Sequence, residues 1–336
     1  MQMPIVTVII PCRNEEKNIA NAINSILNQD YPLELIEIIV VDGMSDDNSK
    51  NVVLELSKIY GNILLLENKN KTTPIAFNIG IREGKGDFVQ ILNARQILAE
   101  NYISSCINIL LNDNTIGCIG GSAKLNYVTS QEKHISLAYQ SWFGLGFGNI
   151  YAIKGSAYTD TAAAPIYPKK ALFEIGLFDE SLIRNQDDEL SFRLTKNNYK
   201  IYTTSKTSSY YLVRSTINKV FKQFFQYGYW KVFVMKKHYT LTTLRQVFPA
   251  LFIIFILLGF PLFTYIKQVQ IYFTILLLYV IVGLFFNDGK TVLEKISVLK
   301  IIITIHFAYG IGYLDGVIDF FLLNKKPSER NKTLSR

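Results

Sequence analysis

A chain of 336 residues is long enough for one large domain and an appendage, and an apolar share of 49% is high for a protein that meets only water. Three cysteines, Cys12, Cys106 and Cys118, stand at unrelated spacings and exclude a disulfide framework and a cysteine metal quartet, which fits a reducing cytoplasm. The formal net charge of +8 suits anionic lipid headgroups or a phosphate-bearing substrate; its basic residues crowd around apolar C-terminal segments in no nucleic-acid-binding pattern, so no nucleic-acid partner is expected.

The apolar run Val6 to Ile10, stopped by Pro11, predicts a strand buried on both faces. After Arg13-Asn14-Glu15-Glu16-Lys17-Asn18, the spacing of Ile19, Ala22, Ile23, Ile26 and Leu27 predicts a helix. A second strand, Ile36 to Val41, ends at Asp42-Gly43, and a helix from Asn51 to Tyr60 leads to a third strand, Ile63 to Leu66. This alternation predicts an α/β fold with right-handed crossovers and a parallel, doubly wound sheet, whose ligands gather at the carboxyl ends of the strands. Pro11 to Glu15 and Asp42 to Asp47 both fall at such ends, and a further strand, Phe88 to Leu92, delivers Asn93-Ala94-Arg95 to another.

The stretch from Ile116 to Thr161 reads as a less regular half of the same domain. Short helices are expected over Ala171 to Gly176 and Glu189 to Lys196, the latter with Asp187 and Asp188 in its first turn. From Thr216 on, aromatic residues (Phe221, Phe224, Phe225, Tyr227, Trp230, Phe233) interleave with lysines, the pattern of a helix lying in a membrane interface. Val247 to Ile266 has the length and apolarity of a membrane span, and Val269 to Phe286, slightly shorter, completes a hairpin around Lys267 and Gln268. Ile301 to Leu323 is long enough to span but carries His306, Asp315 and Asp319 and is loosened by Gly310 and Gly312; a broken, re-entrant or interfacial segment is expected, because a full span would put the basic tail (Lys325, Lys326, Arg330, Lys332) outside. The expected division is a catalytic domain over 1–215, amphipathic interfacial helices over 216–245, a membrane region over 246–324 and a basic tail over 325–336. The N-terminus enters a strand without a signal-like segment, so a multi-pass protein of the inner membrane with a cytoplasmic catalytic domain is expected.

Two readings compete at each polar cluster. Asp42, Asn14 and Glu15 could bind a base or ribose, or could be a turn and a helix cap. Asp187-Asp188-Glu189 could hold a general base with a raised pKa, since adjacent carboxylates repel; it could equally be a solvated helix start.

Val6-Thr7-Val8-Ile9-Ile10-Pro11-Cys12-Arg13-Asn14-Glu15-Glu16 resembles the opening of family 2 glycosyltransferases, and Ile38-Ile39-Val40-Val41-Asp42-Gly43-Met44-Ser45-Asp46-Asp47 resembles that family's nucleotide-binding turn. Pro74 to Gly80, Gly120-Gly121, Gly176 to Glu180 and Arg184 to Arg193 are further matches, so the resemblance runs from about residue 5 to 235. Within the family the chain is most similar to succinoglycan-type glucosyltransferases, which the segment His306 to Tyr313 supports. The resemblance implies a GT-A (Rossmann-like, mostly parallel) catalytic domain, an inverting single displacement, a UDP-sugar donor, UDP-glucose in the first instance, and a lipid-linked or oligosaccharide acceptor beside membrane lipids. Carried over by position, Pro11, Asn14, Glu15 and Asp42 would contact the nucleotide, and Asp187 would be the base with Asp188 its rival; Gln186 stands where the family usually has Glu. Gln226 and Trp230 match the ends of a motif of processive members, but Tyr229 replaces its Arg, which favours a non-processive enzyme.

The largest departure lies after Leu92, where the family usually has an Asp-x-Asp motif that binds a divalent metal. Asn93-Ala94-Arg95 offers no carboxylate, and a guanidinium cannot ligate a hard cation. Asn93 and Arg95 are then candidates for the diphosphate, and dependence on Mg or Mn stays open. Either Arg95 supplies the positive charge itself, or the chain keeps the fold and acts as a non-catalytic binder of a sugar nucleotide or a partner subunit.

Overall fold

The computed structural model describes residues 3–146, 149–240 and 244–327, so Arg330 and Lys332 of the expected tail lie outside the described residues. In chain order the first elements are β1 (Val6–Cys12), α1 (Ile19–Leu27), β2 (Ile36–Asp42), α2 (Ser49–Ile59), β3 (Ile63–Glu67), α3 (Thr73–Glu83), β4 (Phe88–Ile91), β5 (Gln96–Leu98), α4 (Tyr102–Asn112) and β6 (Ile116–Asn126). There follow α5 (Ser130–Gln140), α6 (Trp142–Leu145), β7 (Ala157–Tyr158), β8 (Ala163–Pro168), α7 (Lys169–Glu174), α8 (Gln186–Lys196) and β9 (Lys200–Leu212). The C-terminal helices are α9 (Ile217–His238), α10 (Phe248–Tyr265), α11 (Val269–Phe285) and α12 (Val292–Val317), the last continued by a π-helical turn over Ile318–Leu322. The chain divides into two compact units, one of residues 1–125 with 153–212, the other of 126–152 with 213–336.

The first unit is built on one sheet with the order β3-β2-β1-β4-β8-β6-β9-β5, β7 pairing β9. Its first four strands are parallel, as the alternating pattern predicts, and the pairings of β4 with β8, β6 with β8 and β5 with β9 are antiparallel. Side chains of a strand point alternately to its two faces. Thus Val8, Ile10, Ile38 and Val40 join α1, α2 and α4 in one core, while Ile9, Ile39 and Val41 join α3, α7 and α8 in the other. Both faces are covered, which is why β1 and β2 read as unbroken apolar runs.

Pro11 does not stop β1. The strand continues to Cys12, with Pro11 opposite Val41 and Cys12 opposite Asp42. The Ile9 carbonyl accepts from Leu92 on the β4 side and the Cys12 carbonyl accepts from Gly43 on the β2 side. Pro11 has the parity of Ile9, so its missing N–H falls where β4 has already ended, and no ladder bond is lost.

In the second unit α9 packs along α12 and buries Val220, Phe224, Tyr229, Trp230 and Val232. Of the aromatic residues expected to lie in an interface, Phe224 and Trp230 are buried, Phe225, Tyr227 and Phe233 half-buried and Phe221 exposed. Gln226 and Trp230 are buried too, 2% and 0% exposed. A Cβ on Gly228 would stand 2.1 Å from the Tyr309 carbonyl oxygen, and one on Gly312 would stand 2.0 Å from that of Phe225. The segment expected to be broken at Gly310 and Gly312 is instead helical without interruption from Val292 to Leu322. Its glycines are contact points of close helix crossings, Gly312 with α9 and Gly310 with α10, the role small residues take where backbones meet. Two polar residues of this stretch meet protein partners: His306 of α12 contacts the Tyr279 hydroxyl at 2.7 Å and the Gly144 carbonyl at 3.1 Å, and Asp319 of the π-helical turn accepts from Tyr229 at 2.8 Å.

Phe248–Tyr265 and Val292–Leu322 are long and apolar enough to cross a membrane, and Val269–Phe285 is a shorter apolar helix. Leu257, Leu258, Leu277 and Phe285 on α10 and α11 are more than half exposed. Such a surface is unusual for a helix that faces water.

Candidate active site

The carboxyl ends of β1 and β2 carry two turns that are stitched together. Asn14 and Met44 both adopt left-handed backbone (φ 54° and 59°). Ser45 Oγ accepts from the Asn14 N–H at 2.9 Å, Asn14 Oδ1 accepts from the Asp46 N–H at 2.8 Å, and Ser49 Oγ accepts from the Glu15 N–H at 2.8 Å. Glu16 and Asp47 add two exposed bonds across the same seam. Ser45 and Ser49 went unnoticed in the sequence because a serine in a polar turn carries no periodic signal.

Asp42 is 1% exposed and lies opposite Cys12 on one side and Glu67 on the other. Its carboxylate accepts from the Ser45 N–H at 3.0 Å and from the Ser45 hydroxyl at 2.5 Å. The turn reading of Asp42-Gly43 is thus correct as far as it goes, and two of the roughly four acceptor positions of a carboxylate are taken. Asp47, on the same turn, is held below the usual carboxylate range: burial works the other way, but the Ser49 hydroxyl and the Ser49 and Glu16 amides outweigh it. Pro11 is half-buried and Asn14 exposed beside this pair of turns.

Arg95 and Glu15 meet. The Arg95 Nε donates to both carboxylate oxygens of Glu15, at 3.0 and 2.9 Å, and Asn18 Nδ2 donates to Glu15 Oε2 at 2.9 Å. Residues 95 and 15 therefore belong to one edge, with Pro11, Asn14 and Asp42. Asn93 is exposed, and its N–H and side-chain amide both donate to Gln96 Oε1 at 3.1 Å.

These donors do not suit a divalent cation. Hard cations take six or more oxygen ligands with carboxylates prominent among them. Here the Glu15 oxygens are engaged by a guanidinium, and the positions after β4 supply an amide and a cation in place of carboxylates. Among the described residues no group of three or more His, Cys, Asp or Glu could hold a metal ion.

Asp187 and Asp188 stand on the first turn of α8, an element packed on the face of the sheet that carries Cys118, Tyr167, Phe178 and Leu190. Asp187 is exposed and Asp188 half-buried. The charge of Asp187 is felt by the Tyr167 hydroxyl and the Cys118 thiol, both of which burial pushes up, Cys118 to about 12. Glu189, the third of the acidic run, turns inward: it is 1% exposed and paired with Arg193 at 2.7 Å. Arg193 also donates to the carbonyls of Ile175 and Leu177 at 2.5 and 2.6 Å. Successive helical residues point about 100° apart, so the inward Glu189 and the exposed Asp187 are turned away from each other. Of the acidic run, Glu189 is buried and paired, Asp188 half-buried and Asp187 exposed.

The motif segments Pro74 to Gly80 and Gly176 to Glu180 meet through Asn78, whose side chain donates to the Phe178 carbonyl and to Glu180 and accepts from the Phe178 N–H at 3.0 Å. Gln186 Oε1 is buried with no hydrogen-bond partner. Buried polar atoms are rarely left so without a ligand or water in reach.

With this geometry in hand, the family model described as "Glycosyl transferase family 2" matches residues 7–176. A curated relative from Methanococcus voltae, dolichyl N-acetyl-alpha-D-glucosaminyl phosphate 3-beta-D-2,3-diacetamido-2,3-dideoxy-beta-D-glucuronosyltransferase, is 31% identical over 278 residues, 80% of this chain and 86% of the relative. Succinoglycan biosynthesis protein ExoA of Rhizobium meliloti (strain 1021) is 26% identical over 72% of this chain and 73% of its own length. Among solved structures, the mannosyltransferase PcManGT of Pyrobaculum calidifontis, in complex with GDP-Man and Mn2+, superposes with a TM-score of 0.54 at 19% identity, over 71% of this chain and 65% of that one. GalNAc-T7 with UDP, GalNAc and Mn2+ gives 0.51 at 16% identity, over 63% and 44%. At these identities the two structures speak to the fold alone.

Proposed function

The chain belongs to glycosyltransferase family 2, and from that premise we propose an inverting enzyme that moves a hexosyl unit from a UDP-sugar to a lipid-linked or polysaccharide acceptor at the cytoplasmic face of the membrane. The observation that supports this best is the edge formed by Asp42, the Asn14 turn and the Glu15–Arg95 pair at the carboxyl ends of β1, β2 and β4. Ligands of open α/β sheets bind at such edges. Asp42, with unused acceptor positions, takes the hydrogen-bonding groups of base or ribose. The exposed Asn14 and the half-buried Pro11 flank it.

Asp187 is the base. The acceptor hydroxyl oxygen attacks the anomeric carbon and the bond from that carbon to the diphosphate oxygen breaks. The bonding pair leaves with UDP, and the hydroxyl proton passes to the Asp187 carboxylate. One displacement inverts the anomeric centre. A carboxylate exposed at a helix N-terminus is open to an acceptor hydroxyl and placed to take its proton in the transition state. Asp188, half-buried beside it, is the weaker candidate because less of it reaches the site. The unpartnered Gln186 Oε1 next to Asp187 would accept from a sugar hydroxyl.

The exposed apolar faces of α10 and α11 support a membrane anchor for this unit. The printed name of the Methanococcus voltae relative describes transfer to a dolichyl-phosphate-linked sugar, which favours a lipid-linked acceptor. That relative transfers a diacetamido glucuronosyl unit, so donors modified at C2, C3 and C6 belong in the test beside UDP-glucose.

The test is the stereochemistry of the product. With α-linked UDP-hexoses and a membrane lipid extract, the transferred sugar is expected as its β-anomer by NMR; an α-linked product would contradict the single displacement.

A further inference from the structure

We infer that Glu15 and Arg95 act together as a built-in cationic clamp for the diphosphate of the donor, in the place of a divalent metal, with Glu15 orienting the guanidinium rather than touching the nucleotide. The inference rests on the donor being a nucleoside diphosphate sugar. On this inference Glu15 acts behind the guanidinium, where the family resemblance implies a direct nucleotide contact.

The geometry carries it. Glu15 is 9% exposed and fixed from three sides: its N–H donates to Ser49, its carboxylate accepts from Asn18, and both its oxygens receive the Arg95 Nε. Among the described residues, the hydrogen bonds of the Arg95 side chain are both made by Nε. The two terminal amino groups of the fork remain for a ligand, and the side chain is 30% exposed. A planar guanidinium held at Nε presents a parallel pair of N–H donors, which matches two phosphate oxygens. Of the other carboxylates of this edge, Asp47 accepts from Ser49 and Glu16 from Asn48, Asp42 has two acceptor positions taken by Ser45, and Asp46 points to solvent on the turn after β2. A dication arriving here would have to displace a guanidinium from Glu15 and would find no carboxylate on the turn after β4. A diphosphate meets a cation already in place.

The clamp separates phosphate recognition from base recognition, and that makes it testable without turnover. Titration of the full-length chain in detergent with UDP, UMP and uridine, in EDTA and again with Mn2+, reads it directly. UDP is expected to bind in EDTA, with Mn2+ improving its affinity by less than about twofold. Arg95→Ala should weaken UDP by about tenfold or more, the loss of a charged bidentate contact, and leave uridine unchanged. Arg95→Lys, which keeps the charge and loses the fork, should recover only part. Glu15→Gln should weaken UDP and spare uridine, and Glu15→Asp should restore some of the loss, which a merely structural role would not do. UDP binding that appears only with Mn2+ would overturn the inference, as would equal losses for UDP and uridine in Arg95→Ala. Those outcomes leave the transferase reading intact; failure of UDP, GDP and their sugars to bind under either condition would overturn the donor assignment itself. The comparison of EDTA with Mn2+ needs no variant, so it stands if Arg95→Ala fails to fold.

Discussion

Cys12 sits one residue from the two turns that form the site, yet it has no chemical part in it. Burial, opposed by a bond to Ser49 and aided by nearby carboxylates, pushes its thiol up to about 12. Cys106 and Cys118 are also buried, and their thiols are raised for the same reason. A thiol in this state is neither a nucleophile nor a metal ligand at neutral pH. The native protein should therefore react with a thiol reagent only as fast as it opens, and all three cysteines should react at once in denaturant. Prompt labelling of Cys12 in the folded protein would contradict the packing of β1 against α1. The neighbouring carboxylates show how burial sorts like residues: Glu189 is locked by Arg193 and props the Gly176 turn, whereas Asp187 at the same helix start faces outward.

At the scale of elements, the close crossing of α9 and α12 is the most exacting contact in the second unit. A side chain at Gly228 or Gly312 would meet a backbone carbonyl, which cannot move aside as a flexible side chain can. Gly228→Val or Gly312→Val should cost about 1–3 kcal/mol or more by overpacking and lower the melting temperature in detergent. Gly61→Val, at a site with open space around it, is the control. The start of α5 offers a pH test. Thr129 and Glu132 form a reciprocal cap, and amide bonds from Thr129 and Val128 hold the Glu132 carboxyl below its ordinary value. Its stabilisation is fully present above the unfolded value of about 4.3 and is lost as pH falls through the lower folded value. Glu132→Gln should remove that part of the acid dependence; an unchanged pH profile would contradict the cap.

The same elements explain what could be read from the sequence. β1 and β2 were legible because burial on both faces leaves an unbroken β-branched run. β6, β8 and β9 were not, since β9 alternates Thr, Ser, Lys and Tyr in an antiparallel half where polarity masks the strand. α5 could have been found from Thr129-x-x-Glu132, a signature of a helix start. Gly310 and Gly312 were misread as weak points because a glycine's effect on a helix depends on what packs against it, and those partners, Pro249 on α10 for Gly310 and Phe225 on α9 for Gly312, are distant in the chain. The site was half legible: Asp42 and Asp187 stood out by residue type and position. The partnership of Glu15 with Arg95 spans 80 residues and has no local signal.

For the whole molecule, the two units divide the work of the proposed reaction. The first, with its carboxyl-edge turns and α8, carries the nucleotide and the base. The second, with α10, α11 and α12, carries the apolar surface that would hold the enzyme beside a lipid-linked acceptor. Family membership makes the chain a glycosyltransferase, and the proposal adds that its acceptor is in the membrane and its base is Asp187. The direct test is to follow labelled sugar from a panel of UDP-hexoses into the organic-solvent-soluble lipid of vesicles containing the full chain, for the unaltered protein and Asp187→Asn. The account predicts label in the lipid from at least one donor, and a loss of about a hundredfold or more in Asp187→Asn with UDP affinity unchanged, as removal of a general base requires. Asp187→Asn with undiminished transfer, or label appearing only in water-soluble products, would contradict it.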